Sequence, residues 1–204
     1  MDPEISAPAS TEWSAIRRWR VQAREALIHE RLSCGRTVRQ QRSDEARRRL
    51  VESVDLGSYR TLGVYSPMRG EIDVLGLAAE HLRRGGCIGL PVVVDKSAPV
   101  EFWRWWPDMP MSKGIWNIPI PATREPLEPD ALIVPLVGFD RALFRLGYGG
   151  GYYDRTLAQL ARRPFCVGLG FQSGLLPSIY PQAHDMPMDR IITDERVYPE
   201  KPAR

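Results

Sequence analysis

Between Arg145 and Asp154 the chain reads RLGYGGGYYD, with glycines at 147, 149, 150 and 151. A run of residues without Cβ lets successive backbone N–H groups turn toward an anion. The arginine in front supplies a cation. The aspartate behind supplies the hard oxygen that a divalent ion on phosphate requires. The chemistry suggested is nucleotide-phosphate binding with Mg²⁺. The spacing is not that of a Walker A loop, because no Lys-Ser or Lys-Thr pair follows, and the glycines do not give G-x-G-x-x-G. Without further information, a glycine-rich hairpin or a tight connection accounts for it equally well.

The flanking elements are those such a loop needs. Residues 131–137 (ALIVPLV) form an apolar run short enough for a buried parallel strand, and residues 152–160 open a helix whose positive end faces the loop. Elsewhere the pattern predicts helices over residues 13–31, 43–53 and 73–84, the second begun by Ser43 as N-cap. Strands are predicted over residues 61–66, 87–94, 100–106, 164–170 and 190–193. Strand, helix, strand over residues 61–94 implies a parallel crossover. In open parallel sheets ligands bind beyond the carboxyl ends of the strands, where residues 67–71 and 138–151 fall. Residues 1–12 are expected to be a disordered lead before one domain over 13–204.

A chain of 204 residues, 43% hydrophobic and 26% charged, is long enough for one substantial core. Cys34, Cys87 and Cys166 are far apart and odd in number, so idle thiols are expected. His29, His81 and His184 stand apart, with no metal-histidine or Ser-His-Asp arrangement around them. No apolar run approaches the roughly 20 residues of a membrane span, and the first residues lack a signal pattern, so a cytoplasmic location is expected. Residues 17–49 hold eleven arginines against four acids. That charge admits a nucleic-acid-binding arm, for which binding would be salt-sensitive, or a solvated helix face. Arg20, Arg24 and Arg31 share one helical stripe. Trp103, Trp105 and Trp106 with Phe102 form an aromatic cluster whose alternation puts Trp103 and Trp105 on one face and Phe102 and Trp106 on the other; either face suits the core or a flat ring.

The segment GFDRALFRLGYGGGYYDR resembles the signature of the 5-formyltetrahydrofolate cyclo-ligase (5,10-methenyltetrahydrofolate synthetase) family. In the family's order along the chain follow further similarities: Trp19-Arg20, Arg24 and Arg31 to its basic first helix, Gly70-Glu71-Ile72 to its early acidic loop, Trp116-Asn117-Ile118-Pro119 to its central turn, and Asp185-Met186-Pro187-Met188-Asp189 with Ile191-Ile192-Thr193 to its closing segment.

The resemblance implies a single three-layer α/β domain with a mostly parallel, Rossmann-like open sheet (NagB/RpiA/CoA transferase-like) and an N-terminal basic helix. It implies ATP- and Mg²⁺-dependent closure of 5-formyltetrahydrofolate to 5,10-methenyltetrahydrofolate through a phosphorylated formyl oxygen, in a monomer or homodimer with no membrane or nucleic-acid partner. By position, Arg20, Arg24, Arg145, Leu146, Gly147, Tyr148, Gly149, Gly150, Gly151, Tyr152 and Tyr153 would hold ATP. Ser66, Glu71, Trp116, Tyr148, the three following glycines and Tyr152 would meet the folate. Asp154 and Asp189 would carry the metal, and Arg145, Tyr152 and Asp154 would serve catalysis. Asp140 would orient Arg145 or cap the turn. Two departures stand out. Arg20 replaces a common lysine, which keeps the charge but spreads it over a planar fork. Leu143 replaces a usual glycine; at positive φ it would cost about 1–2 kcal/mol. A family member that binds nucleotide or folate without turnover, as carrier or regulator, is the alternative enzyme-free reading.

Overall fold

The computed structural model describes residues 5–200. Two helices open the chain, α1 (Trp13–Ser33) and α2 (Arg36–Ser53). Strand β1 (Thr61–Gly63), helix α3 (Leu75–Arg83) and strand β2 (Cys87–Val92) follow as a parallel unit, as the strand-helix-strand pattern predicts. Strand β3 (Glu101–Trp105) then returns antiparallel to β2. A hairpin of β4 (Met111–Lys113) and β5 (Pro119–Pro121) and a short β6 (Pro126–Leu127) lead to β7 (Ala131–Pro135). Beyond it come the β8 (Gly138–Phe139) and β9 (Arg145–Leu146) hairpin, helix α4 (Tyr152–Gln159), and strands β10 (Phe165–Leu169), β11 (Arg190–Ile192) and β12 (Val197–Tyr198).

The main sheet has the order β12-β11-β10-β7-β1-β2-β3-β6, with β2, β1, β7, β10 and β11 parallel. Central β7 is apolar because both its faces are covered. Ala131 and Ile133 pack with Ala46, Leu50 and Ala78 under α2 and α3, whereas Leu132 and Val134 pack with Leu157 under α4. Helix, sheet and helix make the three layers. Alternation also settles the aromatic cluster: Phe102 is buried in the α4-side core, Trp105 packs against the other, and Trp106 is exposed.

Helix α1 belongs to neither layer. Its buried stripe, with Ile16, Trp19, Arg20, Ala23, Leu27 and Arg31 at helical spacing, lies across the carboxyl ends of the sheet, where Trp19, Ala23 and Leu27 pack on Val137, Leu146 and Ile179. Ahead of it, the Trp19 indole N–H donates to the Ser6 carbonyl at 2.6 Å, and Ile5 packs on the same cluster. Residues 1–4 lie outside the described residues. Helix α2 starts seven residues earlier than expected. Ser43 is no N-cap; it is buried in mid-helix, and its hydroxyl is satisfied by the Arg39 carbonyl at 2.8 Å.

Candidate active site

The glycine loop bridges β9 and α4 at the carboxyl edge of the sheet, with Leu146 buried as its floor. Gly149 has φ +93°, a conformation that L side chains rarely adopt, and a Cβ there would stand 3.3 Å from the Arg24 guanidinium carbon. A Cβ on Gly150 would strike the Tyr152 ring at 2.6 Å. Arg24 reaches over from α1 and donates through Nε to the Gly147 carbonyl at 2.6 Å; Arg155 donates to the Gly150 carbonyl at 2.8 Å. No carboxylate among the described residues pairs with Arg24. Burial and then the neighbouring Arg20 push its guanidinium below the ordinary value, as befits a cation short of counter-charge.

Arg20 is placed differently. It is buried against Asp185 at 2.6 Å and also donates to the carbonyls of Ile179 (3.1 Å) and Tyr180 (2.9 Å). Its role is to hold the 179–185 segment over α1, which a planar fork with several donors suits better than an ammonium. Burial raises the Asp185 carboxyl, but Arg20 and the Gln182 N–H outweigh it and hold the group below the usual range.

Arg145 is also buried. Its Nη2 pairs with Asp154 Oδ1 at 3.1 Å, its Nη1 donates to the Met186 carbonyl at 3.0 Å, and it lies over the Tyr153 ring. Asp154 Oδ1 further accepts the Met186 N–H at 3.0 Å, while no donor among the described residues bonds to Oδ2. Asp140 does not orient Arg145. It accepts the N–H groups of Ala142, Phe144 and Ile179, capping the turn and tying it to the segment that Arg20 holds.

The early acidic loop joins this assembly directly. Tyr148, inside the glycine loop, donates its hydroxyl to Glu71 Oε1 at 2.7 Å, and Oε2 accepts the Met68 N–H at 2.8 Å. Glu71 is raised above the ordinary carboxylate value, chiefly by burial, against the opposing Met68 and Tyr148 hydrogen bonds and the nearby Arg31 and Arg69. Ser66 is half-buried at the turn before this loop. Tyr152 and Tyr153 point apart. Tyr152 meets the exposed Trp116 edge-on at 5.9 Å between centroids, whereas the Tyr153 hydroxyl is buried without a hydrogen-bond partner. Trp116 itself sits at φ +57°, which turns its ring out as an open wall beside the loop.

A family model described as the 5-formyltetrahydrofolate cyclo-ligase family matches residues 16–194. The chain belongs to that family. It is an enzyme of the ligase class. The 5-formyltetrahydrofolate cyclo-ligase of Mycolicibacterium smegmatis is 30% identical over 187 residues, covering 88% of this chain and 95% of that protein. The Escherichia coli K12 cyclo-ligase is 29% identical, covering 87% and 97%. The solution structure of Aquifex aeolicus 5,10-methenyltetrahydrofolate synthetase superposes with a TM-score of 0.76 at 25% identity, over 91% of this chain and 95% of that one.

Within this cyclo-ligase family fold, the two aspartates assigned to a metal from sequence do not come together. Asp189 precedes β11 at the amino edge of the sheet, its Oδ1 paired with Arg163 at 2.9 Å and its Oδ2 accepting the Cys166 N–H at 2.7 Å. Asp185 and Asp189 both lie in the quoted DMPMD motif. The other end of that motif is tied to Asp154 through the Met186 N–H, but the oxygens of Asp185 are taken by Arg20 and the Gln182 N–H.

Among the described residues, five of the eleven arginines of residues 17–49 have a carboxylate partner, Arg20 and four on α2. On α2, Arg47 pairs with Asp44, Arg48 with Glu45 and Glu52, Arg49 with Glu45, and Arg42 with Asp194. Leu143 has φ +69°, the conformation for which the family's glycine is suited, and its side chain packs partly against the α4-side core. Leu143→Gly is therefore expected to change unfolding free energy by no more than about 1 kcal/mol, because relief of backbone strain offsets lost packing and added chain entropy. Urea denaturation checks this.

Proposed function

We propose that this enzyme closes 5-formyltetrahydrofolate to 5,10-methenyltetrahydrofolate, using ATP and releasing ADP and phosphate. The observation that carries the reading is the Tyr148–Glu71 hydrogen bond at 2.7 Å, which joins the glycine loop to a half-buried carboxylate 77 residues away. A phosphate site and a site for a hydrogen-bonding heterocycle therefore share one wall.

An N-formyl oxygen is a poor leaving group. Transfer of the γ-phosphoryl group to it forms an O–P bond as the bond to ADP breaks; N10 then attacks the formyl carbon and gives up its proton to solvent, the C–O bond breaks, and phosphate leaves with that oxygen. The first step asks for in-line placement and charge neutralisation rather than covalent work by the protein. The loop N–H groups and Arg24 hold the phosphates, Glu71 takes N–H groups of the pterin, and Trp116 with Tyr152 flanks the aromatic linker. Arg145 acts on Asp154 rather than on phosphate. Magnesium would fit Asp154, which offers an oxygen with no donor on it among the described residues, since the ion needs only one or two carboxylates besides water and phosphate oxygens, where it would neutralise charge.

Incubation with 5-formyltetrahydrofolate, ATP and Mg²⁺, followed by methenyltetrahydrofolate absorbance, is expected to show turnover. Binding of ATP and folate without product would leave a carrier and sink the ligase reading. Gly149→Ala is expected to raise the KM for ATP about tenfold, because a Cβ at φ +93° is strained by about 1–2 kcal/mol and presses on Arg24. An unchanged KM for ATP would remove the glycine loop from the nucleotide site.

A further inference from the structure

Arg155, in the first turn of α4, is in contact with three other parts of the site. Its Nη1 donates to the Gly150 carbonyl at 2.8 Å, its Nη2 reaches the Ala98 carbonyl at 3.5 Å, and its guanidinium sits 4.7 Å over the Tyr152 ring. Its Nε is buried with no hydrogen-bond partner, so holding the side chain here costs stability. The segment after β2 supplies the backing. The Tyr152 hydroxyl donates to the Lys96 carbonyl at 3.1 Å, and the Val100 N–H donates to Thr156 Oγ1 at 3.0 Å. This packing leaves no room for side chains on two residues of the loop. A Cβ on Gly150 would strike the Tyr152 ring, and one on Gly151, at φ +64°, would stand 3.0 Å from Arg155 Nη1.

A peptide unit is planar and trans, so its C=O and N–H point in opposite directions. With the Gly150 carbonyl held by Arg155, the Gly151 N–H is turned to the other side of the loop, and it has no acceptor among the described residues. An arginine suits this task. Its planar fork reaches two carbonyls from one side chain while its face covers an aromatic ring, which an ammonium cannot do. We propose that Arg155 is a positioning residue for nucleotide binding: it sets the peptide between Gly150 and Gly151 so that the Gly151 N–H is presented to a phosphate oxygen of ATP. It acts through the loop and not by contact with the nucleotide. The inference rests on the ATP reading above, and direct measurement of nucleotide binding separates the two.

The test measures ATP affinity by calorimetry with no folate present, together with KM for both substrates and the unfolding midpoint of the nucleotide-free protein. It uses the wild type, Arg155→Met, Arg155→Lys and Arg155→Ala. Methionine keeps a long apolar stem against Tyr152 and removes the donors. Arg155→Met is expected to weaken ATP binding and raise the KM for ATP about tenfold, the scale of one charge-assisted hydrogen bond, with the KM for folate and the unfolding midpoint little changed. Arg155→Lys, which reaches one carbonyl but cannot span two, is expected to recover part of the loss. Added guanidinium ion, against sodium at equal ionic strength, is expected to restore ATP affinity to Arg155→Ala, a recovery that a packing role does not give. A lowered midpoint with equal losses for both substrates and no recovery by lysine or guanidinium overturns the proposal, and so does an Arg155→Met chain that fails to fold. ATP bound equally by the wild type and Arg155→Met overturns it and leaves the nucleotide reading intact. A wild type that binds no ATP overturns the nucleotide reading and the inference with it. A wild type that binds ATP without turnover sinks the ligase reading alone, and the comparison of affinities then decides the role of Arg155.

Discussion

Asp154→Asn is expected to lower kcat about 10³-fold with the fold intact. The carboxylate stands in the first turn of α4, 3.1 Å from Arg145 and accepting the Met186 N–H. Asparagine keeps one carbonyl oxygen for those bonds, so the segment leading to Asp185 stays in place. On the proposed reading, what is lost is the negative oxygen that would hold a cation on the phosphates and so balance phosphoryl charge in the transition state. Removal of one such preorganised electrostatic partner is worth about 3–4 kcal/mol. Single-turnover rates at saturating ATP and Mg²⁺, with circular dichroism as a check on folding, read the effect. Asp189→Asn, by contrast, is expected to alter stability at the amino edge of the sheet and leave kcat nearly as it was, since Arg163 and the Cys166 N–H occupy that carboxylate. Equal losses in the two variants would return Asp189 to the metal.

Glu71→Gln is expected to raise the KM for folate about fifty-fold, the scale of a charged hydrogen-bond partner withdrawn from a buried site. It carries a second, opposite signature. Burial raises the folded-state value of this carboxyl above that of the unfolded chain, so ionisation is penalised in the native state. That penalty is absent at pH below the ordinary carboxylate value, grows as pH rises from there through the raised value, and is constant above it. The glutamine variant is therefore expected to be more stable than the wild type at pH 7, with the difference closing as pH falls into the ordinary carboxylate range. Substrate affinity of the wild type should fall across the same interval, and that acid limb should be missing from the variant. Thermal unfolding and KM measured between pH 4 and 8 check both. A stabilised, weakly binding variant is the usual mark of a group retained for function rather than for folding. A destabilised one would make Glu71 a structural carboxylate.

Some of this protein is written locally. The apolar run of residues 131–135 can only be a strand covered on both faces, and it is β7 at the centre of the sheet. The glycine cluster announces an anion loop because backbone geometry at positions such as Gly149 depends on the residue type itself. The GFDRALFRLGYGGGYYDR segment resembles the signature of the family whose model matches residues 16–194. Glu71 was legible for the same reason, through the short motif around it.

Other features were settled only where distant segments met. Four arginines of like appearance in sequence have different fates: Arg24 lies on the glycine loop, Arg20 closes on Asp185, Arg145 supports Asp154, and Arg31 is buried with a free donor. Periodicity places a side chain on a face, but the partner that satisfies its charge comes from elsewhere in the chain. The separation of Asp189 from Asp154 has the same cause. Four residues of extended chain reach about 13 Å, enough to pass from one edge of a five-residue strand to the other, and nothing in DMPMD tells which end faces the loop. Local residue chemistry determined the anion loop, the buried strand and the family, because those depend on backbone freedom and on short-range pattern. The pairing of charges was decided by tertiary structure alone, because it depends on which carboxylate the fold brings to each cation.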